Sequence, residues 1–119
     1  IDYIYYLNLI FLNKNKIKKL NKKYKNKYHD TDVLTFVTKI SNKDLGKKFY
    51  CDIFFSIDTI EKFINKNNVI LYDHFNHLLV HSLLHINGFN HEKINQYNIM
   101  KKEEIKLLES IGIKNPYLN

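Results

Sequence analysis

Residues 7–12, LNLIFL, form an apolar run of strand length, rich in branched and aromatic side chains. Such a run predicts a buried β-strand. Residues 1–6 either extend that strand or make a second short one. Asn13 is placed to cap a helix in which Ile17, Leu20 and Tyr24 fall at i, i+3 and i+7, one apolar stripe under a coat of lysines. Residues 31–37, TDVLTFV, and 50–57, YCDIFFSI, predict two more strands. The loop expected between them, 41–48, is short enough for a hairpin, which makes the two strands antiparallel neighbours. Asp58 or Thr59 then caps a short helix, TIEKFINK.

The pattern changes after residue 70. From Tyr72 to Asn87, the residues Phe75, Leu78, Leu79, Val80, Leu83, Leu84 and Ile86 cover much of a helical circumference, which marks a central helix. Gly88 ends it, since glycine takes the left-handed position past a helix at little cost, and Phe89 can fold back toward Leu84. A last helix is expected over Ile94–Ile111 with Tyr97, Met100, Leu107, Leu108 and Ile111 inward, ended by Gly112 and Pro116. The order predicts an α+β fold, a small mixed sheet packed against helices. One domain over 1–119 is expected, lacking a short N-terminal element because the chain opens at Ile1 without methionine.

Composition changes this picture only a little. The opening stretch IDYIYYLNLIFL is the one candidate for a leader or membrane segment, and it is far short of the roughly 20 apolar residues a spanning helix needs. No membrane association is expected. A single cysteine, Cys51, excludes an internal disulfide framework and suits an intracellular, cytoplasmic protein. The net charge of +7 comes entirely from lysine. An excess of that sign suits a polyanionic partner. However, Ala, Arg and Trp are absent and Lys, Asn, Ile, Phe and Tyr abundant, a bias that A/T-rich codons produce unaided. Charge alone therefore does not establish a nucleic-acid partner.

The chemistry is concentrated in HSLLHINGFNHE, residues 81–92. His81 and His85 are four apart on the central helix, about 6 Å along it and on one face. His91 follows the Gly88 turn, where the chain can swing a third imidazole back over the helix end. Three neutral imidazoles with one position open are the ligand set of a catalytic zinc, and Zn2+ is the expected cofactor. His77, one turn before His81, reads as a neighbour of the ligands rather than a ligand, and His74 as structural. In H-E-x-x-H metallopeptidases the residue after the first histidine is the general base. Here it is Ser82, and Glu92 beside the third histidine reads as a surface residue.

HSLLHINGFNHE resembles the H-G-x-L-H-L-x-G-Y-D-H signature of the YbeY-type endoribonucleases, the ribosomal RNA maturation factors. LNKKYKNKYHDTDVLTFV resembles their L-N-x-x-Y-R…T-D-V-L-S-F segment, CDIFFSI their G-D-I-x-I-S strand, and EEIKLLESIGIKNPY their C-terminal helix and tail. Four segments in the same order make the likeness specific. It implies a fold related in site geometry to zinc peptidases, one zinc on His81, His85 and His91, and cleavage of single-stranded RNA. It also implies work on ribosomal RNA in maturation and quality control of the small ribosomal subunit. Departures from the signature are Ser82 for Gly, Phe89 for Tyr, Asn90 for Asp, Cys51 for Gly and Lys25 for Arg. A lysine keeps the charge of that arginine and loses its planar two-pronged grip on phosphate.

On this reading Lys25 is the catalytic candidate, stabilising charge on the phosphate. Tyr24, Tyr28, Phe36 and Phe89 are candidates for stacking on bases. Asp32 and Asp52 are candidates for orienting a histidine. Two other functions fit the same residues. One is a non-catalytic assembly or RNA-binding factor that keeps the fold and the metal. The other is a zinc hydrolase of a different substrate, against which the missing glutamate counts. A purely structural zinc would need a fourth ligand, from His77 or Cys51.

Overall fold

The strand-forming residues of the first half do pair, and over a longer reach than their apolar runs suggest. The computed structural model describes residues 3–25, 32–42 and 46–118, the side chains of residues 24, 25 and 42 excepted. Three strands and four helices follow in the order β1 (Tyr3–Leu12), α1 (Lys14–Lys25), β2 (Val33–Asn42), β3 (Gly46–Ser56), α2 (Ile57–Asn67), α3 (Leu71–Ile86) and α4 (Ile94–Ser110). The fold is α+β, as expected. The chain forms two compact units, Ile1–Thr59 and Ile60–Asn119.

The first unit is a mixed three-stranded sheet in the order β1-β3-β2. β3 runs parallel to β1 and antiparallel to β2, so the expected hairpin partners are adjacent. β3 has a neighbour on either side, and Cys51, Ile53 and Phe55, alternate residues on one of its faces, are almost wholly buried. Of residues 1–6, left open at the start of the chain, residues 3–6 belong to β1 and the first two lie outside the described residues. Tyr5 stacks on its register partner Phe49 with centroids 4.8 Å apart, and Tyr6 stacks on Tyr50 at the same distance. These cross-strand aromatic pairs carry the ladder out to Tyr3. The loop expected over 41–48 is shorter than its polar composition indicated, because Ser41 pairs with Lys47 and Asn42 with Gly46.

The Asn13 side chain accepts from the Lys16 N–H at 2.9 Å, so it caps α1 as expected. Ile17 of the predicted stripe is fully buried and Leu20 partly so; Tyr24 lies outside the described side chains. The cap of α2 differs from expectation. Ser56 Oγ accepts from the Thr59 N–H at 3.3 Å and caps it, whereas Asp58 accepts from the Lys14 N–H at 2.8 Å at the start of α1. A carboxylate there also meets the positive end of that helix.

The second unit holds the body of α2 with α3 and α4. From Asp73 to Ile86 no residue of α3 is exposed, which makes it the central helix that its apolar circumference predicted. All three helices end in the same way. The N–H two residues past the cap bonds the carbonyl five residues back, from Val69 to Ile64, Phe89 to Leu84 and Ile113 to Leu108. The residue between is left-handed in each case: Asn68 at φ 53°, Gly88 at 95° and Gly112 at 83°. These are Schellman endings. The inward face of α4 needs correction. Met100 and Leu108 are buried, but Tyr97, Leu107 and Ile111 are 44%, 41% and 50% exposed, and the third buried residue is Glu104.

Candidate metal centre

Helix periodicity puts His81 and His85 side by side on α3, and the Gly88 ending turns the chain so that His91 joins them. The three ring centroids lie 4.6 to 5.2 Å apart, and one nitrogen from each ring falls within 4.8 Å of the others. His81 and His85 are partly buried and His91 is exposed.

Their hydrogen bonds fix which nitrogens face inward. His81 donates from Nδ1 to Glu104 Oε2 at 2.6 Å, and His85 donates from Nδ1 to the Phe89 carbonyl at 3.0 Å. Each Nδ1 faces an acceptor and so carries the ring proton, which leaves Nε2 bare. The two Nε2 atoms face each other at 3.0 Å. Two lone pairs at that distance repel unless a cation or a proton lies between them. Burial first, then the neighbouring imidazoles His81 and His91, lower the pKa of His85, which disfavours the proton. The donor set therefore fits a metal ion, and His81, His85 and His91 are the residues to hold it.

Glu104 was not anticipated from the sequence. It is 1% exposed and accepts three hydrogen bonds: from His81, from His77 Nε2 at 3.0 Å and from the Tyr117 hydroxyl. Burial works against the charged carboxylate, but the bonds from His77, His81 and Tyr117 outweigh it and bring its pKa down to about 2. It is thus an anion at neutral pH. The Tyr117 phenol is raised above its usual range, by burial and then by its bond to Glu104. A signal for Glu104 was present: Met100, Glu104 and Leu108 fall at i, i+4 and i+8, so a carboxylate interrupts an apolar stripe. No periodic signal marks Tyr117.

The other candidates fall as follows. His77 stands outside the three-histidine cluster, with its Nε2 on Glu104. His74 is structural, buried and stacked on Phe63 at 4.2 Å. Ser82 is fully buried with its hydroxyl on the Leu78 carbonyl at 2.9 Å, so it fits inside the helix without touching the imidazoles' bonds. Glu92 is exposed. The part expected of Asp32 or Asp52, orienting a histidine, belongs to Glu104 for His81. Asp52 accepts from the Asn8 side chain at 3.0 Å in the sheet, and the Asp32 carbonyl accepts from Ser56. Phe36 packs edge-on against Phe54. Phe89 contributes its carbonyl. The side chains of Lys25 and Tyr24, and all of Tyr28, lie outside the described residues.

Comparison with known proteins places these features in a context. A family profile described as Endoribonuclease YbeY matches residues 1–112. An Endoribonuclease YbeY of Ehrlichia chaffeensis is 38% identical over 115 residues, covering 94% of this chain and 71% of the relative. One from Francisella tularensis subsp. tularensis is 31% identical with the same coverage. The solution structure of TM1509 from Thermotoga maritima matches 95% of this chain and 78% of its own, with a TM-score of 0.50 at 21% identity.

Proposed function

The chain belongs to the YbeY endoribonuclease family, and from that premise we propose that it is a zinc-dependent endoribonuclease cleaving single-stranded RNA at His81, His85 and His91. The observation that carries the proposal is the facing Nε2 pair, 3.0 Å apart, with both Nδ1 protons already bonded elsewhere. When bound, zinc supplies Lewis acidity, polarising a phosphoryl oxygen and making water a stronger acid. The protein's own groups do the rest. Glu104 and the Phe89 carbonyl take the Nδ1 protons of His81 and His85 and fix how the two rings are turned. Lys25, at the position of the family's arginine, is the residue we assign to stabilising charge on the phosphate. The natural setting of this activity is ribosomal RNA maturation and quality control of the small ribosomal subunit, in the cytoplasm. Among the described residues, no helix is long and apolar enough to cross a membrane.

The test is cleavage of end-labelled single-stranded RNA by the zinc-loaded protein, beside chelator-treated protein and a His85→Ala variant. Cleavage is expected from the first sample alone, and a Lys25→Ala variant should be slower by about 100-fold or more, the range for loss of one charge-stabilising group. A 2′,3′-cyclic phosphate on the product would mean attack by the RNA's own 2′-hydroxyl; its absence would mean direct hydrolysis. If folded, zinc-loaded protein cleaves no better than His85→Ala, the reading gives way to a non-catalytic RNA-binding assembly factor.

A further inference from the structure

Downstream of α4 the chain does not simply trail away. After the Gly112 ending, Ile113 is buried at 4% exposure and pins the tail. Asn115, Pro116, Tyr117 and Leu118 then form a turn in which the Leu118 N–H bonds the Asn115 carbonyl at 3.3 Å and the Tyr117 N–H bonds the Asn115 side chain at 2.9 Å. Proline in the second place of such a turn presets its backbone. The turn presents Tyr117. Its ring meets His77 edge-on with centroids 5.4 Å apart and lies under the Lys101 ammonium at 4.5 Å. Its hydroxyl donates to Glu104 Oε1, the oxygen that His77 also reaches, while Glu104 Oε2 takes the His81 proton.

A chain of contacts therefore runs from the tail to a metal ligand: Tyr117 hydroxyl, Glu104 carboxylate, His81 Nδ1, His81 Nε2. We propose that Tyr117 is a positioning residue of the metal centre, so that docking of the tail turn and binding of the metal reinforce each other through Glu104. The proposal rests on the metal-site reading above and adds a second element to it. Without the phenol, Glu104 Oε1 keeps only His77, and the carboxylate can turn away from His81. His81 is then free to move its proton to Nε2, where a metal cannot bind. Any factor by which the docked tail tightens metal binding must, by linkage, be the factor by which metal tightens tail docking.

The test uses the full chain and zinc alone, with affinity measured by competition against a chromophoric chelator. Tyr117→Phe keeps the ring on His77 and removes only the hydroxyl. It is expected to weaken zinc binding threefold to tenfold, below the roughly 10- to 100-fold typical when a ligand's direct partner is lost. That larger loss is the expectation for Glu104→Gln. The double variant should bind no more weakly than Glu104→Gln, because the tyrosine acts only through the carboxylate. In the metal-free protein, nitrogen NMR should find His81 mainly protonated at Nδ1, and less so in Tyr117→Phe. Zinc should slow amide exchange at Leu118 in the wild type and leave it unchanged in Tyr117→Phe. Unaltered zinc affinity in a folded Tyr117→Phe protein, or losses that simply add in the double variant, would overturn the proposal. His85→Ala separates the two readings: if it binds zinc as tightly as the wild type, the metal centre itself is wrong; if it alone loses zinc, only the role of the tail is.

Discussion

Cys51 sits in the middle of β3 at 1% exposure, and burial, followed by the adjacent Asp52 charge, raises its thiol pKa. A buried thiol held protonated is inert, since the thiolate is the nucleophile. A disulfide reagent at pH 8 is expected to label folded protein at least about 1000-fold more slowly than denatured protein, with labelling following global opening. Rapid labelling of folded protein would show that the strand is open there. The sign of the pH effect follows. Near pH 9 the unfolded chain loses this proton and the folded chain keeps it, so Cys51 lowers stability as pH rises past that point and gives no slope below it. At this scale the sequence was legible where chemistry and spacing coincide. His81, His85 and His91 stand close enough in the chain for helix geometry and one glycine to bring them together. Glu104 was marked only faintly, by its place in the stripe of Met100 and Leu108, and Tyr117 not at all, because they are defined by partners 23 and 13 residues away. A glutamate beside Glu103 on a lysine-rich helix looks like a solvated surface until α4 is packed against α3.

The helix endings show how single positions place whole elements. Gly88 has a φ of 95° with nothing within 4 Å of where a Cβ would stand. Substitution there meets no steric clash and pays only for the left-handed backbone. Gly88→Ala should therefore cost about 1–2 kcal/mol in urea unfolding, and Gly88→Asn noticeably less, because asparagine tolerates that region. Equal costs for the two would point to something other than backbone conformation. Asn68 already fills the same place after α2, so the unit has its own precedent. The glycine endings and the Asn13 cap could be foreseen, since they depend on neighbours within five residues. Strand lengths could not. Tyr3–Tyr6 and Ile40–Asn42 look polar or ambiguous alone, and become strand only when β3 supplies the rings and ladder beside them. The cap of α2 was misplaced for a similar reason: Asp58 lies in the first turn of α2, yet its carboxylate bonds the start of α1.

For the molecule as a whole, a metal that binds the folded state alone adds to its stability by mass action. Free zinc at 100 times its dissociation constant should raise unfolding free energy by about 2.7 kcal/mol. Calorimetry should show a higher melting temperature that chelator reverses and that His85→Ala abolishes; a shift that survives in His85→Ala would mean zinc is bound elsewhere. The tail turn carries a further consequence, one of timing. A ribosome makes the strands before His77, and His77 before Glu104 and Tyr117, at roughly 5–20 residues per second. For some seconds the nascent chain holds its strands and the first histidines but neither Glu104 nor the tyrosine that steadies it. If the tail positions the centre as proposed, full affinity for the metal comes only once Tyr117 has been made, and a message broken before its codon would yield a chain with all three imidazoles and a weaker hold on zinc.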